Sequence, residues 1–394
     1  MFGSIVTVLV VLAHAAAILV VLLTERRQPS ATLAWLLALI FLPGAGLLAY
    51  LLLGRPYARR LARRASQAGE RVRSALARFD VRGRIGASAA NPLGRHVASH
   101  LKMARRLAST PPSSGNRVDL LVDAAATYGA MMECGEGATD HLHLQFYIIQ
   151  PDETGRALRD MLVRRAGEGI EVRVLVDGVG SFGLPRGFWQ PLLEAGGRAE
   201  VFRPLRNPFQ LLRHRDRIDF RNHRKVVVVV GRAGVTGGSL LGRESLGLDP
   251  AMGAWRDTHV RLAGPSVLRL QQAFAEDWYA TTGEVLDDER YFPVPATGNG
   301  GDCIVQVIDS APDQTWSPVE YVHAHAFALA DRRLWLTSPY FVPARSITEG
   351  LIGAALRGVD VRLLLPSRSD SRILRLAARS YYTELMEAGV RVFE

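Results

Sequence analysis

Two residues that can do chemistry stand at the mouth of an apolar run: His223 and Lys225, in Arg221-Asn222-His223-Arg224-Lys225, followed directly by five valines, Val226 to Val230. An imidazole is a nucleophile or a general acid and base, and an ammonium is a compact partner for an anion. Five β-branched residues in a row predict a buried strand, too short to span a membrane. With side chains alternating along an extended chain, His223 and Lys225 would share one face. The chain holds two lysines, Lys102 and Lys225, among 48 basic residues. A lysine where arginine is the default cation points to a site that wants a point charge. Gly231 ends the run, and Thr236-Gly237-Gly238-Ser239 predicts a tight turn beyond a second short strand. The pattern fits nucleophilic attack on a phosphoryl group; a surface histidine and lysine at a strand end is the plain alternative.

The 394 residues suffice for two domains, and the net charge of +10 favours an anionic partner: nucleic acid, anionic lipid or a phosphorylated substrate. Cys134 and Cys303 are far apart and form no metal spacing or disulfide framework, which suits a reducing compartment. The ten histidines include no zinc-protease pattern, so no structural metal or cofactor is expected.

Elements must position the two residues. Phe2–Leu23 and Ala31–Leu53 carry no charge and predict two transmembrane helices joined by the loop Thr24–Ser30. Arginines follow the second span, at 55, 59, 60, 63 and 64, so the positive-inside rule places both ends of the hairpin in the cytoplasm. Ala65–Ser114 predicts basic surface helices and a linker. Asn116–Leu121 predicts a strand and Ala124–Glu133 a helix. An α/β alternation follows: strand His141–Ile149, helix Thr154–Gly167, strand Ile170–Val176, helix Gly187–Ala195, and a strand from Glu200.

The alternation repeats. Leu334–Phe341 echoes Leu142–Ile149, Val359–Leu365 echoes Ile170–Val176, and Leu385–Phe393 echoes Leu192–Phe202, each about 190 residues later. The second copy reaches the counterpart of Phe202 but not a counterpart of His223. The fold class expected is α/β: a tandem α/β repeat, its second copy incomplete, behind a two-helix transmembrane hairpin. The divisions are 1–54 hairpin, 55–115 basic helices and linker, 116–294 first repeat and 295–394 second repeat.

His223-x-Lys225, the apolar strand and Gly237-Gly238-Ser239 resemble the phospholipase D superfamily. With the hairpin, Trp255-Arg256-Asp257-Thr258-His259-Val260, Ser338-Pro339-Tyr340-Phe341-Val342-Pro343 and Arg379-Ser380-Tyr381-Tyr382, nearly the whole chain resembles a bacterial cardiolipin synthase of that type. Two positions depart: Val230 stands where that motif has Asp, and Leu240 where it has Asn. The resemblance implies that each repeat supplies one His and one Lys. One His attacks the phosphorus of phosphatidylglycerol to give a phosphohistidine. The other protonates the departing glycerol and then activates a second phosphatidylglycerol. It implies no metal and no cofactor. His223 and Lys225 would be catalytic, with Asn222 and Ser239 beside them and Gln145 and Tyr147 lining the substrate cleft. Asp257 and His259 read as supports, and Tyr340, Tyr381 and Tyr382 as core and cleft wall. The partners implied are anionic phospholipid and the bacterial inner membrane, multi-pass with the globular part cytoplasmic, and no nucleic acid. One motif without its Asp predicts little synthase activity for the polypeptide alone; a homo-oligomer pairing its histidines is the route to rescue. Two other readings stand beside it: a non-catalytic relative that binds anionic lipid, and a phospholipase D-like hydrolase or nuclease.

Overall fold

The structure, a computed structural model, describes residues 11–12, 14–19, 29–42, 44–53, 67, 69–79, 95–108, 110–204, 221–250, 253, 255–295, 301–311, 314, 316–369 and 371–394. Most of the predicted hairpin loop, the arginines at 55–64, and Asp219 and Phe220 lie outside these residues.

The elements run α1 (Pro29–Phe41), α2 (Ala45–Leu53), α3 (Arg95–Ala108), β1 (Ser113–Val122), α4 (Asp123–Glu136), β2 (His141–Phe146), α5 (Glu153–Gly167), β3 (Glu171–Asp177), α6 (Gln190–Glu194) and β4 (Arg198–Phe202). Then come β5 (Val226–Val229), β6 (Ala233–Gly237), β7 (Thr258–Ala263), α7 (Val267–Thr282) and β8 (Cys303–Val305). The rest is α8 (Pro318–Leu329), β9 (Arg333–Thr337), α9 (Arg345–Leu356), β10 (Asp360–Leu364), α10 (Arg372–Arg379), α11 (Tyr382–Glu387) and β11 (Arg391–Phe393).

Eight strands form one sheet in the order β4-β3-β2-β5-β6-β7-β1-β8, and three form another in the order β11-β10-β9. Within the first, β2, β3 and β4 are parallel; in the second, β9, β10 and β11 are parallel in the same succession. The echo read in the sequence is therefore an echo of topology. After β4 the first sheet turns antiparallel: β5 pairs antiparallel with β2, and β6 and β7 follow as a meander.

The valine run lies at the centre of the large sheet with both faces covered. Val227 and Val229 join Leu142, Leu144 and Phe146 in the core. Val226 and Val228 pack with Leu262, Val267 and Leu270 on the other face. A strand buried on both sides has no use for alternation, which is why it reads as unbroken β-branched residues.

Three expectations change. The predicted second span is two helices, α1 and α2, with the break between Phe41 and Ala45, where Gly44 has φ +84°. Among the described residues no helix is long and apolar enough to cross a membrane. The two helices stay in contact: Trp35 meets Tyr50 edge-on at 5.2 Å, and a Cβ on Gly46 would stand 2.2 Å from the Ala38 carbonyl oxygen. The helix expected over Gly187–Ala195 is confined to Gln190–Glu194, with Pro191 in its first turn. Finally, Val230 does not continue the strand. It has φ +51°, Gly231 follows at φ +61°, and the Arg232 amide donates to the Val229 carbonyl at 3.0 Å. That is a tight turn within a three-residue hairpin loop, its two central residues left-handed, a conformation that favours Asn-Gly or Asp-Gly. Position 230 closes the far end of β5, about 16 Å from Lys225 at a strand's rise of ~3.3 Å per residue.

Candidate active site

Residues 221–225 approach β5 without regular structure and are fastened by aspartates at fixed points of the fold. Asp177, at the end of β3, is buried; its Oδ1 accepts from the Val179 and Gly180 amides at 2.8 and 3.1 Å and its Oδ2 from the Asn222 amide at 2.9 Å. The Asn222 side-chain oxygen accepts from the Arg224 amide at 3.1 Å, a local turn over the motif. Asp277, on α7, receives three donors on one oxygen: Gln145 Nε2 at 2.6 Å, Asn222 Nδ2 at 2.8 Å and Arg224 Nη1. The other arm of Arg224 reaches Asp309 at 3.0 Å, and Arg269 holds the second oxygen of that carboxylate. Arg224 therefore points inward.

His223 and Lys225 meet at Tyr147. The His223 ring stacks on the Tyr147 ring with centroids 3.7 Å apart and planes 20° from parallel. Lys225 Nζ lies 5.6 Å over the same ring and donates to the His223 carbonyl at 2.7 Å. Tyr147 can lie there because position 180 is glycine: a Cβ at Gly180 would come within 2.7 Å of its ring. His223 is exposed, while Lys225 and Tyr147 are half-buried.

Partial burial holds the His223 imidazole below the usual histidine range, the Lys225 ammonium adds to this, and Asp177 opposes it. Burial lowers Lys225 as well, against the pull of Asp257. Burial raises the Tyr147 phenol, and Asp177 raises it further. At neutral pH the pair is thus an exposed neutral imidazole and an adjacent ammonium, a nucleophile with a cation for anionic oxygens.

The Gly-Gly-Ser turn forms a second wall. The Ser239 amide donates to His259 Nδ1 at 3.3 Å, and its hydroxyl is buried with no hydrogen-bond partner. His259 is buried, and burial pushes it down to about 4, so it stays neutral. The glycines make room: a Cβ at Gly237 would be 2.4 Å from His259 Cγ, and one at Gly238 2.5 Å from Asp257 Oδ1. Among the described residues no three His, Cys, Asp or Glu side chains converge as a metal site.

Of the residues singled out in the sequence, His223, Lys225 and Tyr147 come together at the surface. Asn222 and Gln145 are brought together too, but on the inner side, with their amides on Asp277. Sequence reasoning missed Asp177, Asp277, Arg224 and Asp309. Asp177 directly follows the predicted strand Ile170–Val176 and precedes Gly178, which signals a strand end but not an anchor. Asp277 carried no local signal, because its partners lie 55 and 132 residues away.

The family model described as Phospholipase_D-nuclease N-terminal matches residues 12–55, and that described as Cardiolipin synthase, PLD-like domain matches residues 324–394. A cardiolipin synthase of Halalkalibacterium halodurans is 37% identical over 375 residues, 95% of this chain and 73% of that protein. Another, of Geobacillus thermodenitrificans, is 39% identical over 370 residues, 94% of this chain and 72% of that one. A phosphatidylserine synthase structure from Haemophilus influenzae superposes with a TM-score of 0.50 at 13% identity, over 75% of this chain and 77% of that one, and shares the fold. With its tandem topology, its His-x-Lys motif and relatives of this identity along nearly its whole length, the chain belongs to the cardiolipin synthase family of the phospholipase D superfamily.

Proposed function

We propose that the protein is a membrane-anchored phosphatidyltransferase that joins two phosphatidylglycerols into cardiolipin and glycerol. The observation that carries this is His223, exposed and neutral, stacked on Tyr147 beside Lys225. His223 attacks the phosphorus of the first phosphatidylglycerol; the phosphorus–oxygen bond to the headgroup glycerol breaks as the phosphorus–nitrogen bond forms. Lys225 offsets charge on the phosphoryl oxygens. The hydroxyl of a second phosphatidylglycerol then displaces His223. The departing glycerol needs a proton, and by the logic of the repeat this comes from a second histidine. Residues 295–394 hold histidines only at 323 and 325 and no lysine. The second His-x-Lys is therefore not within residues 295–394, and a homo-oligomer is one way to assemble the site.

Val230 does not weigh against this reading, because it sits in a turn away from His223. Asn222 and Gln145 act from the inner side by holding the motif through Asp277, while Ser239, its hydroxyl buried, holds the Gly-Gly-Ser turn against His259. The membrane anchor is residues 1–54, placed in a bacterial inner membrane with the rest of the chain cytoplasmic. It is supported by α1 and α2, whose outer side chains are apolar and bare: Phe41 is 72% exposed, Leu33 58% and Leu48 55%. Residues 116–294 and 295–394 are the two repeats, behind a basic segment at 55–115.

The test is turnover of labelled phosphatidylglycerol by purified full-length chain in mixed micelles. Wild type forms cardiolipin and glycerol and carries acid-labile label on histidine; His223→Asn does neither. Equal product from both proteins would overturn the assignment. Binding of phosphatidylglycerol by wild type without turnover would favour a lipid-binding relative.

A further inference from the structure

The most exposed large apolar side chain among the described residues is Ile373, at 79%, and Leu376 on the same helix is 68% exposed. Both lie on α10, Arg-Ile-Leu-Arg-Leu-Ala-Ala-Arg, which is capped by Ser371 Oγ accepting from the Leu374 amide at 3.4 Å. Three residues apart, they share one side of the helix. Ala378, on the opposite side, is the residue buried in the core with Leu363, Leu365 and Leu385. The helix is thus turned outward: its smallest residue packs inside and two long aliphatic chains stand in solvent. It contains no acidic residue. Arg368 and Arg372 are exposed, and Arg379 is held by Glu394 at 2.6 and 2.9 Å.

A protein partner would bring acids to match these arginines, but the apolar pair is too small for a stable protein interface. An anionic lipid surface fits both halves: acyl chains meet Ile373 and Leu376, and phosphates meet the guanidinium groups. We propose that α10 is a second membrane contact, which seats the second repeat on a bilayer containing anionic phospholipid. The proposal rests on the membrane reading above but not on catalysis, and none of these residues belongs to the His223 site.

The experiment places an environment-sensitive fluorophore at Leu376→Cys in a Cys303→Ser background, with Cys134 buried. The full-length chain is reconstituted into vesicles of phosphatidylcholine, with or without phosphatidylglycerol, and flotation verifies insertion. With phosphatidylglycerol the emission shifts to the blue and is quenched by nitroxide-bearing lipid. The shift is lost in high salt and in the Arg368→Gln, Arg372→Gln double variant. A label that stays in water in floating vesicles of both compositions overturns this proposal alone. An equal shift without phosphatidylglycerol overturns the anionic requirement. A shift that grows with protein-to-lipid ratio and persists in detergent means a second copy covers the helix, which also overturns it. Failure to float removes the membrane reading and this proposal with it.

Discussion

Replacing Val230 by Asn or by Asp separates two roles for the position where the family motif has Asp. The structure gives Val230 φ +51° in a tight hairpin turn. A residue with a Cβ in this conformation loses about 1–2 kcal/mol, and branching at Cβ makes it worse. Asn and Asp are the residues such a turn prefers before glycine. Val230 is half-buried against the core, so either change forfeits about 0.5–1 kcal/mol of apolar burial. The expected net gain is about 0.5–1 kcal/mol for both, or ~1–4 °C in the unfolding midpoint. The assay is thermal unfolding of full-length protein in detergent, with phosphatidylglycerol turnover measured beside it. Turn chemistry predicts that Asn and Asp raise the midpoint alike and leave turnover alone. If Val230→Asp lifts turnover while Val230→Asn does not, the carboxylate takes part in the chemistry and the argument from distance fails. If neither raises the midpoint, the turn is not strained.

Asp277→Asn leaves Arg224 short of one of its two carboxylates and replaces the charged oxygen shared by Gln145 and Asn222 with a neutral amide. It should cost about 2–4 kcal/mol, read from the urea midpoint, and a loss below ~0.5 kcal/mol would show that the hub is dispensable. Gly237→Ala drives a methyl group into the His259 ring, so it should lower stability and, by shifting the Ser239 turn, turnover as well; tolerance of both would contradict the close approach. His141, His143 and His259 are buried and each held below the ordinary histidine value, chiefly by burial. The unfolded chain therefore binds more protons, and stability is full above about pH 6.5 and falls as the pH drops. His259, at about 4, alone accounts for about 2 kcal/mol between pH 6.5 and 5. Urea midpoints across that range should fall with pH, and more gently in His259→Gln.

The valine run was legible because burial on both faces leaves a composition that no other element shares. The tandem repeat was legible because parallel strands of a buried sheet keep their apolar pattern in each copy. The hairpin helices were less so: hydropathy averages over a window and passes through Gly44, whose left-handed φ of +84° separates α1 from α2. The inner half of the site was the least legible. Gln145 alternates correctly for a cleft-lining residue, yet the face it occupies is covered by α7, where Phe274 stacks on His143 at 4.6 Å and Asp277 receives the Gln145 amide. Period-2 alternation tells which residues share a face, not which face is open.

The three residues of His223-Arg224-Lys225 divide the work along that same alternation. Arg224 turns inward, and its two terminal nitrogens reach two carboxylates on separate elements, Asp277 of α7 and Asp309 beyond β8. A lysine would have to reach both carboxylates from a single nitrogen; the planar fork reaches each from its own. Lys225 turns outward, where a single ammonium can donate to the His223 carbonyl and stand over Tyr147. A guanidinium there would spread its charge across a fork and pair by geometry rather than as a point. One of the chain's two lysines stands at this position, which fits that requirement. The middle residue anchors the segment through its shape, which leaves the outer two on the open side, as the proposed chemistry requires.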